Sequence, residues 1–413
     1  MIHVIDEMPG RGKTTAMIHH MLDGDIPSPI MFITPYRTEI NRVMKSCEAV
    51  GFETPSSVGH KFVETKQMLA ERKNIVSTHA IFGMFDVEAE ALVKKGQYTL
   101  IMDETPDVIS IIDITKHDAR SLFSQHVEYD EESGMLIWTT EDYEGRFDPY
   151  RKCIESGNTY RYSNMTWLRI ARRELFESFK NVYLLTYMFA GSTLKPYFEL
   201  NHLEYDKMYI GGDNPDNFRV YSDPQPSPAY DYSGLIQIED RSRMNEIGDD
   251  PYALSKRWYQ HATDAQLRLL HDKTLSFFRS TAKTPSRQNM WTTFKSSGWG
   301  DYDEADERWE EMIADMGYKK GFVSCSIRGT NNYRHKTALA YLVNRYQFVP
   351  VKHMFTWNGI EPNDDFFALS EMIQWVWRSA IRDGKQIQAY IPSSRMRGLL
   401  QQWIEDVGKG VRY

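Results

Sequence analysis

Ile2-His3-Val4-Ile5-Asp6-Glu7-Met8-Pro9-Gly10-Arg11-Gly12-Lys13-Thr14-Thr15 opens the chain as an apolar strand that runs into a glycine-rich turn and then, from about Thr14 to Met21, into a helix. Gly10 and Gly12 accept backbone conformations that a Cβ forbids, so successive N–H groups can turn inward around an anion. The helix start adds the positive end of its dipole. In this arrangement Pro9, Gly10, Arg11, Gly12, Lys13, Thr14 and Thr15 cradle a nucleotide's phosphates. Lys13 reaches the β- and γ-phosphates, and the Thr14 hydroxyl is offered to Mg²⁺. Glu7 stands where the pattern G-x-x-x-x-G-K-[ST] has its first glycine. The reading therefore rests on the strand before the turn and the helix after it.

Outward from the loop, short apolar runs alternate with helical segments: Pro29–Ile33, Asn74–Thr78, Tyr98–Met102 and Val182–Thr186. Such runs suit a parallel sheet buried on both faces. Ligands of open α/β sheets bind beyond the carboxyl ends of the strands, and each of these runs ends in polar residues. The third ends in Asp103-Glu104. There Asp103 would hold Mg²⁺, directly or through water, and Glu104 would orient or deprotonate the water that attacks the β–γ bond. Outside such a context an Asp-Glu pair reads as a helix cap or a surface pair.

The 413 residues suffice for two domains, each with its own core. A hydrophobic content of 41% and a charged content of 26% argue against disorder and against a membrane protein. With no long apolar run and no signal-like start, the expected location is the cytoplasm. Cys47, Cys153 and Cys325 are scattered and fit neither a disulfide framework nor a zinc site. A net charge of −8 argues against a broad nucleic-acid-coating surface but leaves room for a local basic channel.

Proline-rich turns in Gly211–Pro228 suit a domain connection, and the division is placed at 1–210 and 211–413. Beyond it, strands are expected at Met290–Phe294, Gly321–Cys325, Phe348–Val351 and Ile387–Ile391, with helices at Asp303–Met316 and Lys336–Asn344. This repeats the α/β plan without a second phosphate loop. The helical pattern of 251–287 reads as structural. An insertion is expected at about 110–178. It holds a hairpin over Glu128–Thr139 turning at Ser133-Gly134, and a basic and aromatic mix at Tyr160-Arg161-Tyr162, Trp167-Leu168-Arg169 and Arg172-Arg173. That mix suits a single-strand grip, or a helix packing its aromatics inward.

The motifs together resemble the superfamily 2 helicases, the DEAD/DEAH-like nucleic-acid-dependent ATPases. Glu7–Thr14 looks like motif I, Asp103-Glu104-Thr105-Pro106 like motif II, Thr34-Pro35-Tyr36-Arg37 like motif Ia, and Thr186-Tyr187-Met188-Phe189 stands at motif III. Ser77-Thr78-His79 resembles a strand end that contacts the nucleic-acid backbone. Arg328-Gly329-Thr330-Asn331 looks like motif V, and Gln374 through Arg382 like motif VI, within a run similar to helicase-like proteins of bacteriophages. The resemblance implies two tandem RecA-like parallel-sheet domains with an insertion in the first. It also implies that ATP and Mg²⁺ are used, and that Lys13, Asp103, Glu104, Gln374, Arg378 and Arg382 form the catalytic set. Thr34, Arg37, Thr78, His79, Thr330 and Asn331 would touch nucleic acid, more readily DNA than RNA, and Thr186 would couple hydrolysis to that contact. Thr34 and Thr78 are equally suited to capping the helices that follow them.

The motif VI of the family spaces its arginines three apart, whereas Arg378 and Arg382 lie four apart. On one helix such residues share a face, with Gln374 a turn earlier. Either arginine could serve as the finger that neutralises charge on the γ-phosphoryl oxygens, and an ordinary amphipathic helix is the other reading. The DEAD-box group reads adenine with a glutamine motif upstream of motif I. None precedes Ile2 here, so base selectivity is left open. The expected activity is an ATP-dependent helicase or translocase in phage replication or recombination, in the host cytoplasm, with replication proteins as candidate partners. A nucleotide-gated loader without unwinding, or a non-motor phosphotransferase, are the alternatives.

Overall fold

The computed structural model describes every residue except 28, 36, 57–58, 227–229, 295–320 and 327–331. The chain divides into two compact units: Met1–Gln225 with Phe348–Pro362, and Pro226–Gln347 with Asn363–Tyr413.

In the first unit, β1 (Ile2–Asp6), β2 (Ile30–Thr34), β3 (Ile75–Thr78) and β4 (Thr99–Asp103) are the first strands of a seven-stranded sheet. An insertion follows with β5 (Ile109–Asp113), β6 (Val127–Tyr129), β7 (Leu136–Trp138), β8 (Thr159–Arg161) and β9 (Thr166–Ile170). The chain then returns through β10 (Asn181–Thr186), β11 (Tyr205–Gly211) and β12 (Arg219–Tyr221). The large sheet has the order β12-β11-β1-β10-β4-β2-β3, parallel except for β12, which pairs antiparallel to β11. Successive residues serve opposite faces. Met31, Ile33, Leu100, Met102, Val182 and Leu184 enter one core, while Ile30, Phe32, Ile101, Tyr183 and Leu185 enter the other. This two-sided burial explains the unbroken apolar runs. The expected division at 210/211 falls within β11, before its last residue, and β11 and β12 both belong to this unit.

Within the insertion, β5, β9 and β8 form an antiparallel sheet and β6 and β7 a hairpin. The insertion has its own core of Ile114, Leu122, Val127, Leu136, Phe147, Ile154 and Trp167. Tyr160, Arg161, Trp167 and Arg169 thus lie on strands rather than on a helix. Trp167 enters this core, whereas the Arg161 guanidinium lies 4.3 Å from the centre of the Tyr129 ring.

The second unit carries an all-parallel sheet, β13 (Ile236–Ile238), β14 (Asn289–Thr292), β15 (Ala338–Tyr341) and β16 (Ile387–Tyr390), in the order β13-β16-β15-β14. The segment expected as a helix at Lys336–Asn344 contains β15. Its Ala and Leu are good helix formers, but Ala338–Asn344 is buried throughout, and tertiary context overrides propensity. The strand expected at Phe348–Val351 is instead the start of helix Val349–Trp357. Pro350 there lies in the first turn, where its missing N–H is harmless, and Val351, Met354 and Phe355 enter the first unit's core. Gly321–Cys325 contributes only an isolated parallel bridge, Trp291 to Phe322. The helix expected at Asp303–Met316 lies outside the described residues. Leu267 and Leu270, on helix Asp264–Ser276, are core residues, in keeping with a structural role for that stretch.

Candidate nucleotide site

β1 ends at Asp6, and the helix Lys13–Leu22 begins directly after Gly12. Gly10 (φ 84°) and Gly12 (φ 79°) are both left-handed, which turns the loop back on itself. A Cβ on Gly12 would come within 2.3 Å of the Phe218 ring, so the loop also needs glycine there for space. Glu7, the departure from the phosphate-loop pattern, is accommodated sideways. Its N–H donates to Thr186 O (3.1 Å), extending the β1–β10 ladder, and its buried carboxylate accepts from Ile210 N on β11 (3.5 Å).

The Lys13 ammonium folds over the loop, donating to Glu7 O (2.5 Å) and Met8 O (3.2 Å). Burial lowers its pKa from the ordinary lysine value, against the pull of Asp103, Asp6, Glu7 and Glu104. Thr14 Oγ1 donates to Asp103 Oδ2 (3.2 Å), joining the helix start to the end of β4 across the intervening β10. Burial, with Glu104 alongside, pushes the Asp103 carboxyl up to about 6. The Asp103 carbonyl accepts from His79 Nε2 (2.9 Å), which fixes the proton on that nitrogen. Glu104 is left-handed (φ 65°), and its N–H donates to Leu185 O (2.9 Å). A hydroxyl and a half-buried carboxylate in contact beside a lysine-bearing loop suit a hard divalent cation, and Thr14 and Asp103 are the residues that would hold Mg²⁺.

Asp6 is a member of this site that sequence reasoning missed. Its Oδ2 accepts from Phe189 N (2.8 Å), tying the loop strand to the turn after β10, and its buried Oδ1 has no hydrogen-bond partner among the described residues. Burial raises its carboxyl to about 6. The available signal was a charged residue closing an otherwise apolar strand just before the loop. Met188, beside Phe189, is also left-handed (φ 56°).

The remaining strand ends are more dispersed. Thr34 and Thr78 are register partners on β2 and β3. Thr34 is fully buried, whereas Thr78 is half-buried and makes no side-chain capping bond to the helix His79–Phe82. Arg37 is exposed at the start of helix Arg37–Ser46, and Thr186 is buried at the end of β10.

In the second unit, Gln374 is half-buried on helix Asp364–Val376. The single helical face expected for Gln374, Arg378 and Arg382 does not form, because that helix stops at Val376. The Ser379 hydroxyl donates to Val376 O (2.7 Å), and a tighter 3₁₀ turn, Ala380–Asp383, follows. Arg378 is buried in the connecting turn and Arg382 is exposed. Thr330 and Asn331 lie outside the described residues.

Comparison with known proteins agrees with this fold. A family model described as the YonV C-terminal Rossmann-like domain matches residues 230–404. The SPbeta prophage-derived protein YonV of Bacillus subtilis (strain 168) is 36% identical over 423 residues, covering 98% of this chain and 99% of that protein. Among solved structures, an apo XPD superposes with a TM-score of 0.51 at 10% identity over 97% of this chain and 95% of that one. S. tokodaii Xpd4 gives 0.44 at 12% identity, over 97% and 94% respectively. The architecture is that of tandem RecA-like parallel-sheet domains with an insertion in the first. Among the described residues no helix is long and apolar enough to cross a membrane.

Proposed function

The chain belongs to the YonV family, and from that premise we propose that it is an ATP-dependent nucleic-acid helicase or translocase, acting on DNA in prophage replication or recombination within the host cytoplasm. The observation that carries the reading is the contact between Thr14 and Asp103 across β10, with Lys13 on one side and Glu104 on the other. Mg²⁺, when bound, supplies neutralisation of charge on the β- and γ-phosphate oxygens. Lys13 leaves the loop carbonyls Glu7 O and Met8 O for those oxygens, and the N–H groups at Gly10, Gly12 and the helix start hold the phosphate chain. Glu104 takes a proton from the attacking water. Arg37, Thr78 and His79 stand at or beside the carboxyl ends of β2 and β3, where they would meet a nucleic-acid backbone.

Steady-state ATP hydrolysis by wild type and Glu104→Gln tests this, with and without single-stranded DNA, duplex DNA and RNA at one salt concentration. Turnover stimulated by one of these and abolished in the variant is expected. Full activity in Glu104→Gln would overturn the assignment.

A further inference from the structure

The direction in which a triphosphate lies on the loop follows from the sheet order. Asp103 and Glu104, beyond β10, mark the γ-phosphate end, so the nucleoside lies on the opposite side of β1, toward β11 and β12. The turn joining those strands closes on the phosphate loop. Phe218 fills the space beside Gly12, and Arg219 donates to His19 Nδ1 (2.8 Å), to Phe218 O (3.0 Å) and to Asp23 Oδ2 (3.0 Å). These bonds fix the hairpin along the helix that starts at Lys13. The Arg11 guanidinium lies 5.6 Å from the centre of the Phe218 ring. The exposed tip beyond it is held in shape by Asn217 Oδ1, which accepts from Asp213 N (3.0 Å) and Asn214 N (3.1 Å). The Asn217 amide, donating to Asp213 Oδ1, holds that carboxylate below the usual range, and the charge of Arg11 adds a smaller contribution.

We propose that Arg11 and the tip of the β11–β12 hairpin form the nucleoside subsite, in which the guanidinium plane stacks on the base and the Asp213 carboxylate accepts from a ribose hydroxyl. The subsite rests on the nucleotide reading above. It assigns nucleoside recognition to an element after the sheet's last parallel strand rather than to one before the first. Stacking engages a π-face that every base has, so ATP and GTP are held with similar affinity.

Calorimetric titration of the full-length chain with Mg·ATP, Mg·GTP and Mg·triphosphate separates the nucleoside from the phosphates. Arg11→Ala is expected to weaken ATP and GTP by about tenfold, the scale of one lost stacking contact, and triphosphate by less than about twofold. Asp213→Ala is expected to weaken ATP by about threefold, as for one exposed hydrogen bond, and to leave triphosphate unchanged. Equal weakening of ATP and triphosphate by Arg11→Ala would mean that Arg11 only shapes the loop and would overturn the subsite alone. So would unchanged ATP affinity in both variants. Wild type that binds triphosphate as tightly as ATP also overturns it. Wild type that binds neither overturns the nucleotide reading together with the subsite.

Discussion

Replacing Asp6 by Asn should make the protein more stable at pH 8, by an amount that disappears in acid. The native carboxyl is raised from 3.8 to about 6, with desolvation the dominant cause. Its Oδ2 already accepts from Phe189 N, and Oδ1 is buried without a hydrogen-bond partner among the described residues. A folded-state pKa above the unfolded one means that the native state binds more protons between those two values, so stability falls as pH rises from about 4 to about 6. The penalty is present in full above pH 6 and absent below the unfolded value. Moving a carboxyl from 3.8 to about 6 corresponds to roughly 3 kcal/mol. An asparagine keeps the acceptor for Phe189 N, sheds the buried charge, whose net cost already includes the attraction to Lys13, and leaves an amide N–H to satisfy. The amide N–H offsets about 1–2 kcal/mol. Urea unfolding at pH 8 should therefore show Asp6→Asn about 1–2 kcal/mol more stable than wild type at unchanged m, and the advantage should vanish near pH 4. A variant less stable than wild type at pH 8, or a gain equal at both pH values, would refute the argument that this carboxylate is held charged at a cost.

Gly12→Ala combines a disfavoured φ of 79° with a Cβ 2.3 Å from a buried ring, and should abolish Mg·ATP binding in titration calorimetry while far-UV circular dichroism stays native. Nucleotide binding should also require the cation. Lys13 faces Asp6, Glu7, Asp103 and Glu104, so ATP with EDTA should leave the Tm unchanged, whereas Mg·ATP raises it by several degrees at saturation. Arg382 is exposed, so Arg382→Ala should keep wild-type stability within about 0.5 kcal/mol while lowering kcat if it is the finger. Arg378→Ala removes a buried side chain and should lower the Tm whatever its effect on turnover.

The parts of the fold legible in sequence were those where one local signal dominates. β2, β3, β4 and β10 are buried on both faces, so each is an unbroken apolar run, and glycines at 10 and 12 mark a turn that no other residue takes as easily. β11, with Asp206 and Lys207 exposed, and the three-residue β12 lack such a run, and pairing defines them instead, β11 beside β1 and β12 on β11. Ala338–Tyr341 and Val349–Trp357 exchanged identities for the same reason. Ala and Leu entered a sheet because they are enclosed there, and a Val-Pro-Val start entered a helix because Pro is harmless in a first turn. At the site, the meeting of Thr14 with Asp103 followed from strand ends alone. The Asp6–Phe189 bond joins residues 183 positions apart and had no pattern to announce it.

The strain in the first unit is not spread evenly. Of the left-handed non-glycine residues in this unit, Arg72, Gln97 and His202 close helices, as such residues commonly do, and Asp142 lies in a turn of the insertion. Glu104 and Met188 instead follow the neighbouring strands β4 and β10, at the same end of the sheet as the loop. Each left-handed residue costs roughly 1 kcal/mol, and the Asp6 carboxylate at the end of β1, beside β10, adds its own penalty. A sheet selected for stability alone would replace Glu104 with glycine and Asp6 with an apolar residue, since the ladder bonds from Glu104 N to Leu185 O and from Glu7 N to Thr186 O need neither side chain. What these residues share is position. They turn carboxylates and a backbone N–H toward the phosphate loop from three adjacent strands, β1, β10 and β4. Two left-handed residues and a raised carboxyl at the end of the sheet that carries the loop fit a site held ready for a ligand, independently of the likeness to any other protein.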